Sequence, residues 1–178
     1  MKSIEELSSR RGGGGFVRIA HRGASGRAPE NTRAAFAAAL DLGVDMIEID
    51  CQLAADGELV VIHDEVLDRT TNGSGPVAAS AWPVLAALDA GAWRGGEFGG
   101  ERIPRLADVL AQLAGRAALN VEIKSARDVG AIEPRLAALV EAQAAADWVV
   151  FSSFHESAVK NMRAAAPWRS PTRLGRGA

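Results

Sequence analysis

Two carboxylates occur within a stretch that otherwise has the residues of a buried β-strand. Residues 44–50 read VDMIEID. Because side chains alternate across a strand with a period of two, Glu48 and Asp50 share one face, and Ile47 and Ile49 share the other. Enclosing two unpaired carboxylates is unfavourable, and oxygen donors at this spacing suit Mg²⁺ or Ca²⁺. The stretch therefore indicates a divalent metal site, unless both acids lie on a solvated strand end.

Charged side chains lie at the ends of three other predicted strands as well. They are His21 and Arg22 after residues 16–20, His63 and Asp64 after residues 58–62, and Glu122 and Lys124 at the end of residues 118–124. If the strands are parallel, these groups meet at one edge of the sheet. Three carboxylates can then hold a cation, an arginine and a lysine can hold an anion, and two histidines can serve as acid and base. This combination is typical of phosphoryl transfer.

Each of these residues also has a purely structural interpretation. His21 could be a hydrogen-bonded core histidine, and His63 with Asp64 could be a simple turn pair. Glu122 and Lys124 are neighbours on one strand face and could form an ion pair with no catalytic role. The functional interpretation is favoured because separate strands all place compatible charges at the same end.

The elements that must position these groups alternate between strands and helices. Strands are predicted at residues 16–20, 44–50, 58–62, 118–124 and 148–152, and helices at residues 32–42, 106–113, 132–146 and 156–165. Asn31 is the predicted N-cap of the first helix. The alternation indicates βαβ units around a parallel sheet, and charge at the strand ends favours a TIM (β/α)8-type barrel. A doubly wound sheet is the alternative, but residues 21–26 (HRGASG) are not its Gly-rich phosphate loop.

The predicted barrel is incomplete. A closed barrel of this type has eight strands and typically about 250 residues, whereas the 178 residues here supply about five predicted strands. We therefore expect a barrel that is truncated after about five strands. Residues 1–15 are expected to be a flexible N-terminal segment and residues 16–178 the barrel domain. Residues 65–104, rich in turn formers, are expected to be a small inserted subdomain after the third strand, anchored by Trp82, Trp93 and Phe98.

Composition excludes several classes of protein. A net charge of −2 and a pI near 5.9 provide no electrostatic basis for binding nucleic acid. No apolar run approaches the roughly 20 residues of a membrane span, and the N-terminus lacks the apolar core of a secretory signal. Cys51 is the only cysteine, so no internal disulfide can form. We therefore expect a cytoplasmic enzyme with no stable membrane insertion.

The polar motifs together resemble the glycerophosphodiester phosphodiesterase family. The motifs are His21-Arg22-Gly23-Ala24, Pro29-Glu30-Asn31-Thr32, Glu48-Ile49-Asp50, His63-Asp64, Asp68-Arg69-Thr70-Thr71-Asn72-Gly73, Leu88-Asp89-Ala90-Gly91, Ile103-Pro104 and Glu122-Ile123-Lys124. The resemblance runs from about residue 17 to residue 167, and the combination is far more specific than any single motif. It implies a TIM barrel with an insertion after the third strand, which matches residues 65–104.

The resemblance also implies roles for individual residues. The implied metal ligands are Glu48, Asp50 and Glu122, the implied substrate-binding residues are Arg22, Lys124, Glu30 and Asn31, and the implied catalytic residues are His21 and His63. Related barrels suggest His21 as the general base and His63 as the general acid, but the residues alone do not distinguish the two orders. The implied cofactor is Mg²⁺ or Ca²⁺.

The implied reaction is metal-dependent hydrolysis of a small-molecule glycerophosphodiester to sn-glycerol 3-phosphate and an alcohol. One alternative is a related barrel phosphodiesterase of the phosphatidylinositol phospholipase C or sphingomyelinase D type. The insertion and the Glu122-Ile123-Lys124 strand favour the first. A second alternative is an inactive truncated fragment, because the family continues beyond Pro167 through three further strands where residues 168–178 form a short basic tail. Arg105 also departs from the family, which usually has Thr or Ser there as a helix N-cap.

Overall fold

One mixed sheet organises the protein. The computed structural model describes residues 2–12 and 15–166, so the predicted basic tail lies outside the described residues. The strands in this part are β1 (Ile19–His21), β2 (Met46–Leu53), β3 (Leu59–Val61), β4 (Ala118–Ile123) and β5 (Val149–Ser152). They run in the order β1-β2-β4-β5, with every neighbouring pair parallel, and β3 pairs separately with β2. Within the described residues the sheet does not close into a barrel.

The third strand differs from the prediction of a wholly parallel sheet. β3 pairs antiparallel with the end of β2, with Leu53 opposite Leu59 and Cys51 opposite Val61. The physical reason is the length of the connection. Only residues 54–58 separate the two strands, whereas a parallel crossover needs about a dozen residues or more. The chain therefore turns back, and the N–H of Ile62 reaches the carbonyl of Asp50 at 3.1 Å.

Helices cover one face of the sheet. They are α2 (Arg33–Asp41), α4 (Leu106–Leu113), α5 (Ile132–Ala142) and α6 (Glu156–Ala165). The helices are numbered in chain order, and α1 (Ile4–Gly12) and α3 (Trp82–Leu85) lie elsewhere. Ile47, Ile49 and Val121 are fully buried on this side in the main hydrophobic core. The strand alternation then directs Glu48 and Glu122 to the opposite face. Among the residues that the structure describes, no helix combines the length and hydrophobicity of a membrane span.

Residues 4–12 form a packed helix and not the flexible segment that was expected. Helix α1 (Ile4–Gly12) buries Ile4 and Leu7 against Ala118, with Met46 and Val150 alongside. Residues three apart share a helix face, and the partners are on the acid-bearing side of β2, β4 and β5. Helix α1 therefore covers the amino-terminal end of the face whose other end carries Glu48, Asp50 and Glu122. The glycine-rich run after the helix gave no sign of this packing.

Residues 65–104 pack onto the β2–β3 hairpin. This segment contains two short 3₁₀ helices, Val77–Ala79 and Gly96–Phe98, and one turn of helix, α3 (Trp82–Leu85). A second hydrophobic cluster joins it to the hairpin. Its buried members are Ala54, Val60, Ile62, Leu67, Val77, Leu85, Ala90 and Ile103, with Trp82 packed against them.

One helix cap differs from expectation, and a second is as expected. Thr32, rather than Asn31, is the N-cap of α2, and its side chain accepts a hydrogen bond from the Ala35 N–H at 3.3 Å. Arg105 occupies the N-cap of α4 without a side-chain cap and instead pairs with Asp108. The prediction that Arg105 does not cap helix α4 with its side chain is therefore confirmed.

Candidate active site

Three carboxylates meet at the carboxyl edge of the sheet. Glu48 and Asp50 project from the same face of β2, and the parallel register sets Glu122 of β4 directly beside Asp50. One oxygen from each of the three lies within 4.8 Å of the other two. The residues predicted as metal ligands from separate strands are therefore brought together.

The cluster carries more negative charge than its protein surroundings satisfy. Glu48 is 7% exposed and Asp50 0%. Burial, followed by the charge of Asp50, raises the pKa of Glu48 to about 7. The buried atoms Glu48 Oε1 and Asp50 Oδ1 have no hydrogen-bond partner. Three carboxylates with oxygens this close together fit a hard divalent cation.

Two cationic side chains flank the carboxylates. Arg22 Nε lies 3.3 Å from Asp50 Oδ2, and Arg22 Nη1 donates to Glu30 Oε1 at 2.9 Å. Lys124 Nζ lies 2.9 Å from Glu122 Oε1 and 3.4 Å from Asp50 Oδ1. Burial acts to lower the pKa of Lys124, but the hydrogen bond to Glu122 and the charge of Asp50 outweigh it and raise the pKa. The Glu122–Lys124 ion pair considered in the sequence therefore exists, inside the site.

The two histidines have different surroundings. His21 ends β1, with Nε2 3.8 Å from Glu48 Oε2 and a side chain that is 67% exposed. His63 follows β3, and the antiparallel hairpin rather than a parallel strand returns it to the same edge. Its side chain is 25% exposed, and Nδ1 lies 2.5 Å from Asp64 Oδ1. One imidazole is thus held by a carboxylate neighbour, while the other lies open at the edge.

The loop after β1 donates hydrogen bonds to the carboxylates of Glu48 and Asp50. Arg22 and Asn31 both adopt positive φ angles of 56° and 57°. The Asn31 side chain donates to Asp50 Oδ2 at 2.9 Å, and Asn31 is only 4% exposed. Gly23 is required because a Cβ there would lie 2.7 Å from the Cβ of Ala35. The structure therefore places Asn31, expected to contact substrate, in a hydrogen bond with Asp50, one of the predicted metal ligands.

Sequence reasoning did not assign roles to two residues near His63, Gln52 and Arg69. Gln52 is buried and donates to the carbonyls of Ile62, His63 and Asp64 at 3.0, 3.0 and 2.8 Å. Arg69 contacts both Asp64 and Glu30. Because side chains alternate along β2, Gln52 lies on the same face as Glu48 and Asp50. This position near the site could have been predicted from the sequence. The position of Arg69 depends on how residues 65–104 fold and had no such signal.

Comparisons with known proteins agree with this geometry. Residues 21–177 match the glycerophosphoryl diester phosphodiesterase family. A glycerophosphodiester phosphodiesterase of Caldanaerobacter subterraneus subsp. tengcongensis is 44% identical over 151 residues, which are 84% of this chain and 62% of that protein.

Two solved structures show the same fold. A glycerophosphodiester phosphodiesterase from Agrobacterium tumefaciens is 40% identical with a TM-score of 0.79, covering 90% of this chain and 66% of that one. An Oleispira antarctica phosphodiesterase in complex with the product sn-glycerol-3-phosphate is 34% identical with a TM-score of 0.77, covering 91% of this chain and 65% of that one. These neighbours confirm the predicted TIM-barrel-type fold.

The chain spans 44% to 62% of the length of the first three curated relatives that it matches. The family match nevertheless covers the first loop, the carboxylate cluster, the hairpin and the last described strand. The chain belongs to the glycerophosphoryl diester phosphodiesterase family.

Proposed function

We propose that this protein is a metal-dependent phosphodiesterase that hydrolyses glycerophosphodiesters to sn-glycerol 3-phosphate and an alcohol. The observation that carries the proposal is the buried cluster of Glu48, Asp50 and Glu122, flanked by two histidines and two cationic side chains. The product complex of the Oleispira antarctica relative supports the choice of a glycerol phosphate product.

Glu48, Asp50 and Glu122 would hold the metal. Their oxygen donors suit Mg²⁺ or Ca²⁺, and we propose one of these as the cofactor. When bound, such an ion neutralises charge on the phosphoryl oxygens and on the developing transition state. The buried Oε1 of Glu48 supports this assignment because it has no hydrogen-bond partner, and burial without a partner is costly.

Arg22 and Lys124 would bind the substrate phosphate. Arg22 is held by Glu30 and Asp50, so its guanidinium reaches the site in a fixed orientation. Planar, forked donors suit phosphate oxygens. Lys124 adds a point charge at the adjacent strand end, and the ion pairs with Glu122 and Asp50 keep it at the edge of the sheet.

The histidines would carry the protons. We assign His21 as the general base, which accepts a proton from the attacking water. We assign His63 as the general acid, which protonates the departing alcohol oxygen. The contact with Asp64 is compatible with this order, because a carboxylate bonded to Nδ1 leaves Nε2 as the nitrogen that exchanges a proton with the substrate. Overall, one water is consumed and one P–O bond is exchanged for another.

We also propose a small-molecule substrate and a cytoplasmic location. The net charge of −2 gives no attraction to nucleic acid or to an anionic membrane surface. The single cysteine fits a reducing compartment.

The test is turnover of glycerophosphocholine by the purified chain, with EDTA and after addition of Mg²⁺ or Ca²⁺. We expect release of free glycerol 3-phosphate that stops with EDTA and returns with one of the ions. Asp108→Asn is the control variant, because Asp108 is an acid on α4 outside the cluster. This variant should show the same turnover and the same response to EDTA as the wild type. Activity that is insensitive to EDTA, or a cyclic phosphate as the final product, would contradict the proposal.

A further inference from the structure

We infer that Arg69, from the segment 65–104, is a positioning residue for His63, acting through Asp64, and that Glu30 couples this unit to Arg22. The inference rests on the proposed function and deepens it. It gives the inserted segment a part in the reaction. It also identifies three side chains that fix the proton donor without touching the reacting atoms.

The first step is the contact between Arg69 and Asp64. Arg69 Nε donates to Asp64 Oδ2 at 2.7 Å, and Nη2 donates to Oδ1 at 3.0 Å. This forked, bidentate pairing fixes the plane of the carboxylate. Hydrogen bonding from Arg69 holds the pKa of the Asp64 carboxyl well below its usual range. Asp64 therefore stays ionised and remains an acceptor wherever the enzyme works.

The second step is the effect of Asp64 on the imidazole ring. An ionised carboxylate has no proton to donate, so the short contact with Nδ1 of His63 requires the hydrogen to be on Nδ1. In the neutral ring, Nε2 then carries the free lone pair. In the charged ring, Nε2 carries the proton that can be transferred. The carboxylate thus selects the tautomer, and Arg69 orients the carboxylate.

The third step extends the network to the first loop. Arg69 Nη1 and Nη2 donate to the two oxygens of Glu30 at 3.0 and 2.7 Å. Glu30 also accepts from Arg22. Burial acts to raise the pKa of Glu30, but the hydrogen bonds from Arg69 and Arg22 outweigh it and lower the pKa. The proposed phosphate-binding arginine and the proposed acid are therefore connected by one chain of charge-assisted hydrogen bonds.

The backbone around both ends of this network is also held. Gln52 donates to three successive carbonyls at residues 62–64, which fixes the turn that carries His63. Near Arg69, Leu67 is buried, and the Asp68 carboxylate accepts from the N–H of Gly75 at 3.0 Å. Because the main chain is fixed by these separate contacts, loss of the Arg69 side chain is expected to free the ring without unfolding the turn.

The decisive experiment reads the His63 tautomer directly by long-range ¹H–¹⁵N NMR of the histidine rings. The chain has three histidines, so His21→Gln and His155→Gln variants complete the assignment. We expect the Nδ1–H form for His63. Asp64→Asn replaces the ionised acceptor by an amide that can present either its oxygen or its NH₂ to Nδ1, because Arg69 contacts both positions. We therefore expect the neutral ring of that variant to lose its exclusive Nδ1–H form. In Arg69→Gln we expect a mixture.

Kinetics provide the second readout. We expect kcat to fall about 100-fold in Asp64→Asn and about tenfold in Arg69→Gln, with KM changed less than kcat. Arg69→Lys should not restore the rate because an ammonium group cannot make both forked contacts. Arg105 and Asp108 form a second bidentate pair, at 3.0 and 3.1 Å, and supply matched controls. Arg105→Gln and Asp108→Asn should leave kcat and the His63 spectrum unchanged.

The two proposals can fail separately. A His63 ring that keeps Nδ1–H in both Asp64→Asn and Arg69→Gln would overturn the positioning role, whatever the activity. A kcat loss no larger than that of the Arg105 and Asp108 controls would also overturn it. An unchanged wild-type tautomer pattern in a chain that does not cleave glycerophosphocholine would overturn the proposed function alone.

Discussion

The two ends of one sheet face are completed in opposite ways. At the amino-terminal end, apolar side chains of helix α1 pack against Ala118 and its neighbours. At the carboxyl end, carboxylate oxygens of Glu48, Asp50 and Glu122 lie close together, and Glu48 Oε1 has no hydrogen-bond partner. The same strands and the same parity serve both ends. Packing therefore stabilises one end, whereas the proposed metal ligands meet at the other end. The proposed function and the apolar packing of helix α1 are separated along the strands.

The largest effect is expected from a substitution in the carboxylate cluster at the carboxyl end of the sheet. Glu48→Gln should reduce kcat/KM by at least about 1,000-fold, because a metal ligand and its charge are lost. The same variant should raise the free energy of unfolding of the metal-free protein, because a carboxylate whose pKa is raised to about 7 is replaced by a neutral amide. Turnover assays and urea unfolding in EDTA measure the two effects. A metal-free variant less stable than the wild type would show that the cluster is not strained by its charge.

The next effect separates the histidine from the ion. His63→Ala should lower kcat by about 100- to 1,000-fold, which is the usual contribution of general acid catalysis. Metal affinity should be unchanged, because the side chain is not among the three clustered ligands. Calorimetry and steady-state kinetics on the same preparation test this. Equal losses of affinity and rate would place His63 in the metal site.

A smaller effect belongs to the amino-terminal end. Leu7→Ala should lower the free energy of unfolding by about 2 kcal/mol, because the side chain is buried and its removal leaves a cavity. Metal affinity measured on the folded variant should match the wild type. Exposed Val84→Ala on α3 is the control, with little expected change. A parallel loss of metal affinity in Leu7→Ala would mean that the two ends are not independent.

The smallest effect concerns a carboxylate that the backbone does satisfy. Asp89 accepts hydrogen bonds from the N–H groups of Ala92, Gly100 and Gly91 at 2.7, 2.6 and 2.9 Å, which lower its pKa to about 2. A lowered pKa gives stability that is present above a pH of about 4 and is lost as the pH falls through the folded value. The difference in Tm between wild type and Asp89→Asn should therefore be constant near neutral pH and shrink towards pH 2. A difference independent of pH would contradict this assignment.

Much of the site followed from local pattern. The period-two alternation placed Glu48 and Asp50 on one face, and the parallel arrangement of β2 and β4 placed Glu122 beside them. The positions of the four helices that cover the sheet were also predictable, since apolar spacing is a local signal. His63 reached the predicted edge, but by a different route, because the short connection at residues 54–58 forms a hairpin.

What could not be predicted depends on long-range packing. The glycine-rich run at residues 12–15 suggested a mobile head, yet Ile4 and Leu7 are buried by residues more than a hundred positions away in the chain. The contacts of Arg69 with Glu30 and Asp64 require the fold of the insertion, which is irregular and has no period to read. Local patterns predicted the strands that carry the clustered carboxylates. The contacts of Arg69 depend on tertiary structure and had no local signal.

The most direct test of the central claim is calorimetric titration of the EDTA-treated protein with Mg²⁺ or Ca²⁺. It compares the wild type with the near-isosteric double variant Glu48→Gln/Glu122→Gln. We predict one ion bound per chain in the wild type and no measurable binding in the double variant. Unchanged binding in the double variant would contradict the account, because the carboxylates that meet at the sheet edge would then not be the metal site.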